Sequence, residues 1–137
     1  MRTSLENIIN MPEDTVSLLD RFDIRTVEAL HDFIKAEGIV QVAHKLNIDY
    51  NVILGWQQNA DLLQIKGLGG KAVKLLSASG IRTVFDLSIM DARRLTAELN
   101  LNNKRSHIMK TVPSERKILS WVNQARKLQG DIKCQKY

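Results

Sequence analysis

The sequence predicts an all-α fold in which two pseudo-symmetric helical units pack as one compact domain. Three observations lead to this prediction: a long internal repeat of apolar residues, apolar spacing typical of amphipathic helices, and capping residues before the expected helix starts. The chain has 137 residues, of which 44% are hydrophobic and 26% are charged, as is usual for a globular protein.

The internal repeat is clearest at Ile24-Arg25-Thr26-Val27, which recurs 57 residues later as Ile81-Arg82-Thr83-Val84. Further along the chain, Trp56 matches Trp121 at an offset of 65. The second copy therefore holds about eight extra residues, which we expect between positions 100 and 113. We expect the two tryptophans to anchor the core, although an exposed one would be able to stack on a base. The other matched pairs are Ile8 and Ile65, Val16 and Val73, Leu18-Leu19 and Leu75-Leu76, Leu30 and Leu87, Ile53-Leu54 and Ile118-Leu119, Ala60 and Ala125, and Leu63-Gln64 and Leu128-Gln129.

The repeat predicts three segments: a first unit over residues 1–61, a second unit over 62–129, and a flexible tail over 130–137. Helix starts are predicted where a capping side chain precedes an apolar-periodic stretch. The expected caps are Thr26, Asp49, Thr83, Asp91 and Ser114. The helix after Asp91 is expected to end near position 100, and the helix after Ser114 near position 128.

A glycine-rich turn in the second unit separates a helix that ends near Ile65 from one that begins near Lys71. It contains Gly67, Gly69 and Gly70, and glycine lets the backbone approach another molecule closely. The unpaired N–H groups and positive dipole end of the new helix would lie beside lysines 66, 71 and 74. This combination predicts a phosphate site. The alternative is that the glycines only turn the chain so that two helices can pack.

The turn resembles the hairpin of the helix-hairpin-helix family, whose pattern is hydrophobic-x-Gly-hydrophobic-Gly followed by a small residue on the second helix. The layout from Ile8 to Leu128 resembles a largely uncharacterised group of bacterial proteins with tandem helix-hairpin-helix units. The resemblance implies two such units, and DNA binding through backbone amides on phosphates, largely without reading sequence. The residues that carry the hairpin pattern are Ile65, Gly67, Leu68, Gly69, Ala72 and Leu75.

The equivalent hairpin of the first unit reads Asn10-Met11-Pro12-Glu13-Asp14. Pro12 suits a helix start, so we expect the turn to persist. Its glycines are absent, however, and the carboxylates of Glu13 and Asp14 would repel a phosphate. We therefore expect this first hairpin to be degenerate and purely structural.

The charged residues divide the chain at the boundary predicted between the two units. Residues 1–61 carry 5 Lys/Arg and 10 Asp/Glu, whereas residues 62–137 carry 15 Lys/Arg and 5 Asp/Glu, within a net charge of +5. This distribution favours polyanion binding by the second unit alone. The alternatives are an acidic protein partner for the basic surface and a basic protein partner for the acidic one.

Two further stretches are candidates for contact with nucleic acid. Residues 101–112 are polar and basic, and we interpret them as a loop that is either a contact surface, through Lys104, Arg105 and Lys110, or a solvated linker. Residues 38–56 resemble a helix-turn-helix. Because no Lys or Arg occurs between Lys45 and Lys66, we favour a helix pair without DNA contact there.

Catalysis and membrane insertion are not expected. The three histidines lack the spacing of a metal site, no Walker-type motif occurs, and the lone Cys134 has no local histidine, so we expect no enzyme activity, metal or cofactor. No apolar run reaches the length of a membrane span. The N-terminal residues lack an apolar signal core, and the single cysteine fits a reducing compartment, so we expect a cytoplasmic protein.

The predicted function is sequence-independent binding of DNA, or of structured RNA, by the second unit. The alternative function is a protein-interaction adaptor or structural subunit that does not bind nucleic acid, with the acidic first unit facing a protein partner. The predicted binding residues are Lys66, Gly67, Gly69, Gly70, Lys71, Lys74, Lys104, Arg105 and Lys110.

Overall fold

A computed structural model describes residues 4–9 and 11–135, with side chains for 4–9 and 11–130. These residues form eight α-helices and one short 3-10 helix, and among them no strand is present beyond an isolated antiparallel bridge between Ser4 and Thr26. The all-α prediction is confirmed. Expectations that concern residues 1–3, Asn10 and the side chain of Cys134 fall outside the described residues.

Contacts between Cα atoms divide the chain into two compact units, Met1–Asp61 and Leu62–Tyr137. The helices that begin in the first unit are α1 (Glu13–Arg21), α2 (Val27–Glu37), α3 (Ile39–Leu46) and α4 (Tyr50–Leu63), preceded by the 3-10 helix Leu5–Asn7. Those of the second unit are α5 (Gly70–Ala78), α6 (Val84–Ser88), α7 (Ala92–Ser106) and α8 (Glu115–Gln135). The four helices that begin in the first unit therefore correspond, in chain order, to the four of the second.

Most of these helices begin at a side-chain cap, as predicted. Thr26 Oγ1 accepts from the N–H of Ala29 at 3.1 Å, and Thr83 forms a reciprocal capping box with Asp86. Asp91 accepts from the N–H of Arg94 at 3.0 Å. Asp49 and Ser114 likewise accept backbone N–H groups at the starts of α4 and α8.

Most of the repeated apolar residues lie in the core of each unit, whereas Val16, Leu18 and Leu54 are half-buried and Leu119 is exposed. Leu30 and Leu87 are both 0% exposed, and Trp56 and Trp121 are 3% and 2% exposed. The pairs Ile8/Ile65, Ile53/Ile118 and Ala60/Ala125 are buried as well. The tryptophans are therefore core residues, and stacking of a base on either indole does not fit their burial.

The predicted loop over residues 101–112 is wrong in its first half, because α7 continues to Ser106 and places Lys104 and Arg105 in its last turn. Two asparagines in this stretch hydrogen-bond other parts of the chain. Asn102 Nδ2 donates to Ser79 Oγ at 2.8 Å. Asn103 accepts from the N–H of Met109 at 2.9 Å and donates to its carbonyl at 2.8 Å.

The last helix is longer than predicted, since α8 continues past Leu128 to Gln135. Gly130 does not end it, because a glycine inside a long helix costs only about 1 kcal/mol. Flexibility of the segment 130–137 stays a prediction. None of the helices in the described ranges is both long enough and apolar enough to cross a membrane.

Candidate functional site

The N-terminus of α5 has backbone N–H groups without a partner, at residues that range from exposed (Gly69 and Lys71) to buried (Ala72). Gly69 is its N-cap, with φ −92° and no side-chain cap, and its carbonyl accepts the first helical hydrogen bond from the N–H of Val73 at 3.0 Å. Within the described residues, the N–H groups of Gly69, Gly70, Lys71 and Ala72 have no partner. These are the four donors that the start of a helix leaves free, at the positive end of its dipole.

Three lysines flank these donors in the sequence. Lys66, Lys71 and Lys74 are exposed, and in the described part of the chain none of them pairs with an acidic side chain. Lys71 and Lys74 are three residues apart on α5 and so share one face. Gly69 is exposed too, and a Cβ placed on it would meet nothing within 4 Å. The turn is therefore open to a ligand.

The residues beneath the turn hold its backbone in place. Ile65 and Leu68 are 2% and 4% exposed, and the N–H of Leu68 donates to the Ile65 carbonyl at 3.0 Å. Gln124 on α8 makes two hydrogen bonds with the backbone of Lys66. Its Oε1 accepts from the Lys66 N–H at 2.9 Å, and its Nε2 donates to the Lys66 carbonyl at 3.2 Å. The sequence analysis missed Gln124, although the repeat pairs it with Asn59.

Gly67 lies at the point of closest packing in the turn. Its φ is +87°, and a Cβ there would stand 3.4 Å from the indole Nε1 of Trp121 and 3.9 Å from Cε of Lys117. A glycine at this position thus serves the backbone conformation and the packing together. Lys117 adds a cation beside the turn that the sequence analysis did not identify. The Nε1 of Trp121 is buried and lacks a hydrogen-bond partner among the described residues.

The other predicted cations are not part of this site. Asn102, on the same turn of α7 as Lys104 and Arg105, donates to Ser79, the residue after the C-terminal end of α5. The N-terminus of α5 is at the other end of this nine-residue helix, roughly 13 Å away at 1.5 Å per residue. Lys104, Arg105 and Lys110 are exposed, but no hydrogen bond or ion pair between described residues joins them to the turn.

The equivalent helix start in the first unit has the opposite character. Pro12 is the N-cap of α1 and has no N–H, and Glu13 and Asp14 form the first turn. Asp14 Oδ1 accepts from the N–H of Thr15 at 3.1 Å. This start therefore presents carboxylates where α5 presents free donors.

The titratable groups of the described residues give no sign of a catalytic or metal centre. No group of three or more His, Cys, Asp or Glu side chains there is arranged to hold a metal ion. In the first unit His31 Nε2 donates to Asp61 Oδ1 at 2.8 Å. Burial raises the pKa of the Asp61 carboxyl above its ordinary value, and the hydrogen bond and charge of His31 and the charge of Lys35 offset this only in part.

Comparison with known proteins gives one match. A family model with the description "Domain of unknown function (DUF4332)" matches residues 10–128, which is most of the chain. No curated protein and no solved structure matches.

Proposed function

The chain belongs to the family described as Domain of unknown function (DUF4332), and we propose that the second unit of this member binds the phosphate backbone of DNA without reading its base sequence. The observation that carries the proposal is the exposed start of α5. Its free N–H groups, from Gly69 to Ala72, lie in a glycine turn flanked by Lys66, Lys71 and Lys74.

Phosphate oxygens suit these donors for two reasons. Backbone N–H groups at a helix start give directed hydrogen bonds to an anion, and the helix dipole adds a favourable potential. The lysines add attraction that does not depend on base identity. Because contacts to phosphate carry no sequence information, binding through this turn is sequence-independent.

The resemblance of the turn to helix-hairpin-helix hairpins supports the same proposal. Ile65, Gly67, Leu68 and Gly69 supply the hydrophobic-x-Gly-hydrophobic-Gly spacing, and Ala72 supplies the small residue on the second helix. Gly67 fits this role through its positive φ, and Ile65 and Leu68 through their burial. In this proposal the first unit keeps the helices of such a hairpin but not its phosphate site.

Binding to fluorescein-labelled DNA duplexes of two unrelated sequences, measured by anisotropy over a salt series, tests the proposal. We expect both duplexes to bind equally and weakly. For three or four phosphate contacts, affinity should fall roughly 40- to 150-fold between 50 and 200 mM salt. Affinity that does not change with salt, or a strong preference for one duplex, would contradict it. A structured RNA as competitor shows whether DNA is the preferred polyanion.

The sharpest variant is Gly69→Asp with Lys71→Asp. Asp is a favoured N-cap and is favourable in the first turn, so α5 should remain folded or gain stability. The carboxylates would occupy the position of the phosphate and repel it, so binding should be lost. The control Arg93→Asp with Ala97→Asp makes the same change in charge at exposed positions of α7 and should keep most of the affinity.

A second candidate function is protein docking. Two exposed apolar side chains, one on α6 and one at its C-cap, favour it. Phe85 and Ile89 are 49% and 65% exposed, whereas the first unit has Glu28 and Asp32 at the equivalent positions. Pull-down from lysate with and without nuclease distinguishes the two functions. A stoichiometric protein partner that survives nuclease treatment favours docking, and loss of all partners favours nucleic acid.

A further inference from the structure

We infer that an exposed stripe of α8 is a second contact surface for the same DNA backbone, continuous with the glycine turn. This inference rests on the proposed function and adds the length and position of the bound segment. The stripe lines a shallow open depression, and we call it the α8 stripe. Its residues are Arg116, Leu119, Ser120, Asn123, Gln124 and Lys127.

The spacing of these residues places them on one face of α8, because relative to Arg116 they stand three, four, seven, eight and eleven positions along the helix. The six stripe residues have a cation at each end and hydroxyl and amide groups between them, and none of the six is a carboxylate. Arg116, Ser120, Asn123 and Lys127 are exposed. Such a face offers hydrogen-bond donors and positive charge to phosphate and sugar oxygens.

The α8 stripe is connected to the glycine turn through Gln124. Its Nε2 donates to the Lys66 carbonyl and, also at 3.2 Å, to Ser120 Oγ within the stripe. Lys117, which follows Arg116, brings its Cε to 3.9 Å from the position of a Cβ on Gly67. A strand whose phosphate lies at the start of α5 would therefore find further donors on α8.

Charge and composition identify a polyanion as the occupant. The second unit carries 15 Lys/Arg against 5 Asp/Glu, and Leu119 is the one apolar side chain of the stripe. A single leucine offers too little apolar area for the buried centre of a stable protein interface. Arg116 and Lys127 are eleven positions apart, roughly 16 Å along the helix, so the stripe is long enough to contact more than one phosphate of a DNA strand.

The double variant Arg116→Glu with Lys127→Glu tests the stripe. Glutamate is favourable in the first turn of a helix and is a good helix former, so the helical signal and melting temperature should be kept. Arg126 is left unchanged because its Nε donates to the Ser88 carbonyl at 3.0 Å. Arg93→Glu with Arg94→Glu is the matched control, with the same change in charge on α7.

For a duplex of about 20 base pairs, the stripe variant should bind roughly 10- to 30-fold more weakly than the natural chain at 0.15 M salt. The slope of log K against log salt concentration should be smaller in magnitude by about two. If the charge reversal unfolds the chain, Arg116→Gln with Lys127→Gln should give a smaller loss in the same direction.

The outcomes separate the two proposals. If the turn variant loses binding while the stripe variant and its control bind as the natural chain does, the stripe is overturned and the proposed function stands. If the natural chain binds no duplex at any salt concentration, both are overturned. An equal loss in the stripe variant and its control would also overturn the stripe, since it would reflect net charge alone.

Discussion

The start of α1 and the start of α5 occupy the same place in the two units, yet one presents Pro12, Glu13 and Asp14 and the other presents glycines and Lys71. The cores behind them match, since most of the apolar residues paired by the repeat are buried in both units. The difference shows that this frame tolerates either charge at its turn. Folding and the charge of the turn are therefore separate properties of the unit.

Hydrogen bonds at equivalent positions of the two units also differ in the groups that form them. In the first unit Asn59 accepts the N–H of Ile9 at 3.4 Å, and in the second Gln124, its repeat partner, makes two hydrogen bonds with the backbone of Lys66. The His31–Asp61 pair has its counterpart at Ser88 and Arg126, where a guanidinium donates to a carbonyl. Equivalent positions are thus connected in both units, but by different hydrogen-bonding groups.

The largest of three effects that would sharpen this comparison is expected at Gly67. Alanine there would adopt positive φ, with its Cβ in ordinary contact with the indole of Trp121, which should cost about 1–2 kcal/mol of unfolding free energy. Gly80→Ala, which also has positive φ but an open surrounding, should cost about the same. Urea unfolding measures both, and a negligible loss at Gly67 would contradict a backbone role for this glycine.

A smaller effect is expected from the polar links. Gln124→Ala removes both hydrogen bonds to Lys66 and should cost about 1 kcal/mol, whereas Asn59→Ala removes one long hydrogen bond to Ile9 and should cost less. Because Gln124 positions the turn, its loss should also weaken DNA binding. Chemical denaturation and anisotropy measure the two properties, and a binding defect in Asn59→Ala would contradict the assignment of binding to the second unit.

The smallest effect is a pH dependence confined to the first unit. The folded state raises the pKa of Asp61, so it holds the proton more tightly than the unfolded chain does. The stability due to this group is therefore complete below the unfolded pKa and is lost as pH rises through the folded pKa. Between about pH 3 and 5, the stability of Asp61→Asn relative to the natural chain should increase with pH.

Arg126→Met, at the equivalent position of the second unit, is the control for this titration. Its guanidinium does not titrate in this range, so the difference in unfolding free energy from the natural chain should stay constant with pH. Urea unfolding at each pH gives both differences. A difference for Asp61→Asn that falls with increasing pH would contradict the direction of the pKa shift.

Much of the fold could be predicted because its causes are local. The caps at Thr26, Thr83 and Asp91 act on N–H groups within three residues, and the repeated apolar spacing marks the core directly. The end of α7 could not be predicted in this way. Asn102 and Asn103 favour loops in isolation, but here they hydrogen-bond Ser79 and Met109.

The candidate site was predictable at its glycines and adjacent lysines, which are contiguous in sequence. Its support was not predictable, because Gln124 and Lys117 reach the turn from α8, more than forty residues along the chain. Such contacts depend on how helices pack, which local spacing does not specify. Conversely, Lys104 and Arg105 share the charge of the site but lie toward the opposite end of α5.

The buried indole of Trp121 has a consequence for the turn above it. Its Nε1 lies 3.4 Å from the position that a Cβ on Gly67 would take, whereas a Cβ on Gly69 would meet nothing within 4 Å. Gly67 also has a φ of +87°, which favours glycine. Substitutions that change the chemistry of the turn are therefore tolerated at position 69 rather than at position 67.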